Sequence, residues 1–327
     1  MRRIGLAVVL AFGLVLAPLA AHALQTGKVY RVGVLASSTE ANFGPSVQVF
    51  REALHAAGWV EGRNLALDVR YPGDQYARLQ ELATELVKLR VDVLDSLGTP
   101  ATLAAKRTTT TIPIVMESLS DVVSTGLVPN LARPGGNITG VSGFAPELSG
   151  KRLELIREIL PQANRIAALA NRANPVTIPI LRATESAAQQ MRMKLHVIDV
   201  RQPAQLGPAF ETVRRERADA LVLVADPLLF SERPQIVQLA ALHRVPTIYE
   251  FRLFPEAGGL LSYGPLAQER FQRMAVYVDR ILRGARPGEL PIEQPTKFEL
   301  VINLKTAKAL GLTIPPSVLG RADHVIE

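Results

Sequence analysis

From Tyr30 onward the sequence alternates between short β-branched runs and stretches with apolar residues at helical spacing, in two successive blocks. Strands are expected at 31–35, 65–70, 91–95 and 112–116, and again at 165–170, 195–200, 220–224 and 247–249. Helices fall between them, such as the one spaced by Leu79, Leu82, Leu86 and Leu89, or that of Leu153, Ile156 and Leu160 stopped by Pro161. Strand and helix in strict alternation give parallel sheets with helices on both faces. The expected fold is α/β, with two Rossmann-like lobes joined by a hinge of several crossovers.

The hinge is read from two breakers. Ala132-Arg133-Pro134-Gly135-Gly136-Asn137 leads into a short strand at 138–142, the first crossover between lobes. Pro255-Glu256-Ala257-Gly258-Gly259 precedes Leu260-Leu261-Ser262-Tyr263-Gly264, then a long helix with Phe271, Met274, Val278 and Ile281 on one face. A tail from Pro291 extends into a strand at 298–303 and a last helix at 304–310. These signals put residues 28–142 plus 260–290 in one lobe and 143–259 plus 291–327 in the other. A hinge between two such lobes makes a cleft that can close on a ligand.

The first 23 residues carry an address. Arg2 and Arg3 precede an apolar run from Ile4 to Leu19, and Ala21-His22-Ala23 supplies a small-x-small cleavage pattern, so 1–23 is expected to be a secretory signal peptide. The run is shorter than the roughly 20 residues needed to span a bilayer. Removing it lowers the formal charge from +7 to +5 and leaves a mature chain of about 300 residues, enough for two domains. There is no cysteine, hence no disulfide, no thiolate metal site and no lipid-modified N-terminal cysteine. A free exported protein is expected to be retained in a periplasm.

The chemistry of catalysis is sought and not found. His55, His196, His243 and His324 have no second ligand at i,i+4, so no metal is expected. Gly140-Val141-Ser142-Gly143 falls short of G-x-S-x-G, and neither a P-loop nor G-x-G-x-x-G occurs, so no cofactor is expected. Asn137-Ile138-Thr139 matches a glycosylation sequon, an accidental one in a bacterial periplasm. The densest basic cluster, Arg214, Arg215 and Arg217, is interrupted by Glu216, and aromatics are 5% of the chain, which excludes a nucleic-acid stripe. A two-lobe, hinged, exported chain without reaction chemistry is most economically a binding protein, expected to be a monomer and not an enzyme.

In open parallel sheets, ligands bind beyond the carboxyl ends of the strands. Those ends offer Ser37, Ser38 and Thr39; Thr99 and Pro100; Ser118 and Asp121; Asn171 and Asn174; Asp226; and Tyr249, with Tyr263 near the second breaker. Short hydroxyls, amides and carboxylates suit a small zwitterion or organic acid, and the Ser37–Thr39 turn before a helix suits a small anionic group. The duller reading is that Ser, Thr, Asn and Asp before helices are N-caps, and that the tyrosines are core. Asp121 and Asp226 could face each other as a catalytic pair, but nothing marks them as matched acid and base.

Several stretches then resemble one family. GWVEGRN from Gly58, LARPGGNITGVS from Leu131, KRLEL from Lys151, GGLLSYG from Gly258, LPIEQPTKFELVINLKTAKALGL from Leu290 and the closing RADHVIE are similar to the ABC transporter substrate-binding proteins of the tryptophan/tyrosine type, a branch of the type I periplasmic-binding-protein fold. The resemblance covers essentially the whole mature chain. It implies a receptor that captures a small organic ligand, an amino acid or related carboxylate including aromatic ones, and delivers it to an inner-membrane ABC permease; the alternative is a sensor of the same fold feeding a signalling partner. Two departures stand out: Asp121 is followed by Val122-Val123 where the family commonly has Asp-Pro-Val, and Pro265 follows Ser262-Tyr263-Gly264.

Overall fold

A computed structural model describes residues 28–73, 75–143, 147–174 and 177–327; the expected signal peptide lies outside the described residues. The first lobe opens with β1 (Tyr30–Ala36), α1 (Glu40–Ala56), β2 (Leu65–Arg70), α2 (Leu79–Lys88), β3 (Val93–Leu97), α3 (Thr99–Thr108), β4 (Ile114–Ser118) and β5 (Ile138–Ser142). The chain then crosses to α4 (Glu147–Ile159), β6 (Arg165–Ala170), α5 (Thr177–Gln190), β7 (Lys194–Asp199), α6 (Leu206–Arg215), β8 (Ala220–Leu223), α7 (Pro227–Ser231), α8 (Arg233–Leu242), β9 (Thr247–Tyr249), α9 (Leu253–Glu256) and β10 (Leu261–Pro265). It returns as α10 (Ala267–Leu282) and crosses once more to β11 (Phe298–Asn303), α11 (Leu304–Leu310), α12 (Pro316–Leu319) and β12 (His324–Ile326).

The two sheets share one plan. The first runs β2-β1-β3-β4-β5, all parallel; the second, read from its far edge, runs β7-β6-β8-β9-β10 and then adds β11 and β12. Position by position, the first five strands of each sheet are in the same order. Among the described residues the one antiparallel pair is β10 with β11, where the chain turns back on itself.

Helices cover both faces because the strands are apolar on both. In β1, Val32 and Val34 enter the core shared with Phe50 of α1 and with Phe271, Met274 and Val278 of α10, while Leu35 faces α2 and α3 on the other side. Fully buried strands of this kind read as near-continuous apolar runs.

The second segment of the first lobe is displaced from the sequence expectation. Leu260 to Pro265 was expected in the first lobe with 266–290, yet β10 bonds to β9 and β11 in the second sheet, so the returning segment that packs on the first begins only at α10. The breaker at Pro255–Gly259 is therefore a turn inside the second lobe. The first lobe also keeps residues 291–293: Ile292 sits in its core, and Glu293 bonds to β5 through its N–H to Gly140 O at 3.1 Å and its carbonyl to Ser142 N–H at 2.8 Å.

The chain thus passes between the lobes three times, after Ser142, after Pro265 and after Glu293. Leu266 N–H donates to Lys297 O at 3.2 Å, and Arg273 makes a two-pronged pair with Glu293, with Nε at 2.8 Å from Oε2. The second crossover depends on a glycine: a Cβ on Gly264 would stand 1.9 Å from the carbonyl oxygen of Glu250, so no larger residue lets β10 lie this close to the end of β9.

Candidate functional site

Between the lobes, at the carboxyl ends of both sheets, lies a cavity of about 110 Å³. This is where the topology predicts a ligand, beside the strands at which the order reverses. The first lobe contributes Phe43 of α1, Thr99 and Pro100 of α3, Glu117 of β4, and Arg270 and Phe271 of α10. The second contributes Asn174, Asp226, Phe230 of α7, Phe251 and Arg252. Four phenylalanines make the wall largely apolar; Phe230 and Phe251 meet edge to face at 5.4 Å.

The charges on this wall are mostly spoken for. Arg270 forms a buried ion pair with Glu117, each side chain about 95% or more shielded from solvent. Arg252 donates to Glu256 at 2.8 Å and to Glu299 at 3.3 Å. Asp226 has no cationic partner among the described residues. Its Oδ1 accepts from the backbone N–H of Leu228 at 2.8 Å and Leu229 at 3.3 Å, capping α7, and its Oδ2 accepts from Asn174 at 2.8 Å and Asn171 at 3.3 Å. Burial raises its pKa above the ordinary carboxylate value, while these hydrogen bonds pull the other way.

The remaining sequence candidates are placed elsewhere. Ser37 Oγ accepts from the N–H of Ala101 and fixes the start of α3 against β1. Ser38 faces the other lobe, where its hydroxyl meets that of Ser231. Thr39 begins α1 without a side-chain cap. The turn expected to hold an anion instead has its first two hydroxyls engaged by protein groups. Ser118 is buried, its hydroxyl 2.6 Å from that of Thr99 and 2.9 Å from that of Ser120, behind the cavity wall. Asp121 caps its own turn by accepting from Val123 and Ser124, each at 3.1 Å.

Tyr249 is a core residue, and Tyr263 is half-buried against the second lobe's core. Tyr249 stacks on Phe254 with ring centres 4.5 Å apart, and Tyr263 packs beside Phe298 with its carbonyl held by Arg152 Nε at 2.8 Å. Neither lines the cavity. Sequence reasoning missed the phenylalanines and the Glu117–Arg270 pair, since apolar residues, three of the four on helices, read as core and Glu117 stood outside the expected strand.

Directly behind Glu117 lies a second acid. Asp95, in the middle strand β3, is fully buried with neither carboxylate oxygen hydrogen-bonded among the described residues. Burial, together with the nearby Glu117 charge, raises its pKa well above the ordinary value. As pH rises past that ordinary value, the unfolded chain releases this proton while the folded chain keeps it, so wild-type stability falls. Asp95→Asn removes that loss. Its stability relative to wild type is expected to improve steadily from pH 4 to pH 7, as read by urea unfolding at each pH; a pH-independent difference would mean that Asp95 is ionised in the fold.

Among the described residues no cluster of three or more His, Asp or Glu could hold a metal, and no helix is long and apolar enough to cross a membrane. The comparisons with known proteins point one way. A curated tyrosine-binding protein of Clostridioides difficile strain R20291 is 25% identical over 263 residues, covering 80% of this chain and 75% of that one. The crystal structure of a conserved domain protein from Vibrio cholerae aligns with a TM-score of 0.87 and 28% identity over 91% of this chain and 100% of the other. A Streptococcus pneumoniae ABC domain in complex with L-Trp aligns with a TM-score of 0.86 and 24% identity, with the same coverage. The fold is that of the type I periplasmic binding proteins, shared with more distant neighbours such as a leucine-binding protein of Thermotoga maritima. The model of the ABC transporter substrate binding protein family matches residues 27–326, and the chain belongs to that family.

Proposed function

We propose that this protein captures a small ammonium-bearing organic molecule, an aromatic amino acid or close relative, between its lobes and hands it to a membrane ABC permease. The observation that carries the reading is Asp226, a buried carboxylate with no cationic partner among the described residues, at the edge of a cavity walled by Phe43, Phe230, Phe251 and Phe271. A ligand ammonium supplies the missing charge, and the rings supply the apolar contact. In the other lobe the start of α3 places the positive end of a helix dipole at the cavity, whereas the charge of Arg270 is already neutralised by Glu117. About 110 Å³ is room for on the order of ten water-sized units, which fits a ligand of one aromatic ring system and a short polar end and not a peptide or oligosaccharide. The names of the two relatives, a tyrosine-binding protein and a structure bound to L-Trp, agree with this ligand class.

The test is thermal unfolding of protein stripped of ligand by refolding, with phenylalanine, tyrosine and tryptophan set against 3-phenylpropionate, which lacks the ammonium. A ligand at about 100 times its Kd adds roughly 2.7 kcal/mol, enough to move the midpoint by several degrees. An aromatic amino acid is expected to give that shift and 3-phenylpropionate none. Equal shifts would remove Asp226 from the reading, and no shift with any aromatic amino acid would reject the ligand class.

A further inference from the structure

The two lobes touch through a small polar contact far from the crossovers. Ser38, just after β1, and Asn42, in the first turn of α1, belong to the first lobe; Ser231, the last residue of α7, belongs to the second. The hydroxyls of Ser38 and Ser231 are 2.7 Å apart, and Asn42 Nδ2 donates to both at 3.0 Å, so the three side chains close a ring of hydrogen bonds across the lobe boundary. Ser38 is only 2% exposed, and neither it nor Ser231 lines the cavity.

We infer that Ser38, Asn42 and Ser231 form a latch that holds a fraction of the protein closed without ligand and slows reopening once ligand is inside. The lever arm is favourable. In the first sheet the crossover leaves from β5, three strands away from β1, or about 14 Å at the usual strand spacing. A hinge rotation of about 10° therefore separates the two hydroxyls by more than about 2 Å, and the ring breaks at the start of opening. Because it exists only in the closed form, its loss changes the rate of release more than the rate of capture. Each of these side chains acts through closure and is a positioning residue, not a ligand contact, except that Asn42 also reaches the cavity wall.

The chain has no cysteine, so Val123→Cys in the first lobe and Leu242→Cys in the second, both exposed, accept a dye pair without competing labels. Single-molecule energy transfer on the ligand-free protein then reads the closed fraction directly, and this readout does not depend on the ligand proposed above. Ser38→Ala is expected to lower the closed-to-open ratio about fivefold, as the loss of one net hydrogen bond would, and Ser231→Ala, which loses two, by at least as much. The double variant should fall no further than Ser231→Ala, which already removes both hydrogen bonds that cross the boundary, whereas Ser38→Ala leaves the one from Asn42. Thermal midpoints should stay at the wild-type value, since neither hydroxyl holds its own lobe together. Should L-tryptophan prove to bind, its release should quicken about fivefold with its capture rate unchanged. A wild type with no closed population, or variants with the wild-type ratio, would overturn the latch.

Discussion

Replacing Arg270 with Met is expected to lower the free energy of unfolding by about 3–5 kcal/mol, because it strands the Glu117 carboxylate in a buried site with its counter-ion gone. The penalty lies in the charge left behind, not in the strength of the pair. The double variant Glu117→Gln with Arg270→Met is therefore expected to recover most of the loss, since two neutral groups of similar size demand no counter-ion. Urea unfolding of the two single variants and the double separates these outcomes. A single-variant loss under about 1 kcal/mol would mean that water reaches the pair in solution. The neighbourhood sharpens the expectation: Asp95 already sits behind Glu117 without a hydrogen-bond partner, so this patch has no spare donor to take over.

The second large effect is on binding. Asp226→Asn is expected to weaken an ammonium-bearing ligand by about 2–5 kcal/mol, roughly 30- to 4,000-fold in Kd, as measured by calorimetry. Asn caps a helix as well as Asp does, so α7 should keep its start. The cost to the ligand-free fold is expected to be about 1 kcal/mol, arising where the new amide meets the donors of Asn174 and Asn171. Asp226→Ala, by contrast, loses both cap and charge. Because burial holds this carboxyl above its ordinary range, affinity is also expected to decline on mild acidification earlier than it would for an exposed aspartate. A variant that binds as wild type would place the ligand's ammonium elsewhere in the cavity.

Much of the fold was legible from periodicity because the strands are apolar runs bounded by turns. β2, β5, β6, β9 and β11 begin and end where the sequence places them. The sequence places β3 and β4 two residues early, stopping at Asp95 and Met116, because an acid normally marks a strand's end. Here the strands run on through Asp95, Ser96, Glu117 and Ser118, all buried, and the polar pair under α10 was lost with that boundary. β12, three residues at a sheet edge, is too short to leave a periodic signal.

For the cavity, the rule that ligands gather at strand ends led to Thr99, Pro100, Asn174 and Asp226, which line it. It could not lead to Phe43 or Phe271. Each lies near the start of a helix whose other apolar residues fill the first core, and spacing alone does not say which ring faces the opposite lobe. For Tyr249 the alternation along β9 turns the ring inward onto Phe254, a direction set by register and not by residue type.

The three crossovers also fix when the molecule can become itself. The first lobe's core is open on one face until α10 lays Phe271, Met274 and Val278 against β1 and β3, and the second sheet lacks the edge opposite β7 until β11 and β12 arrive. A chain emerging from its N-terminus therefore carries two unfinished halves, and neither can close its core before most of the sequence has been made. Contacts of such long sequence separation form late and slowly. Until the last fifth of the chain arrives, the earlier part remains in a form that other machinery can still thread, hold or cut.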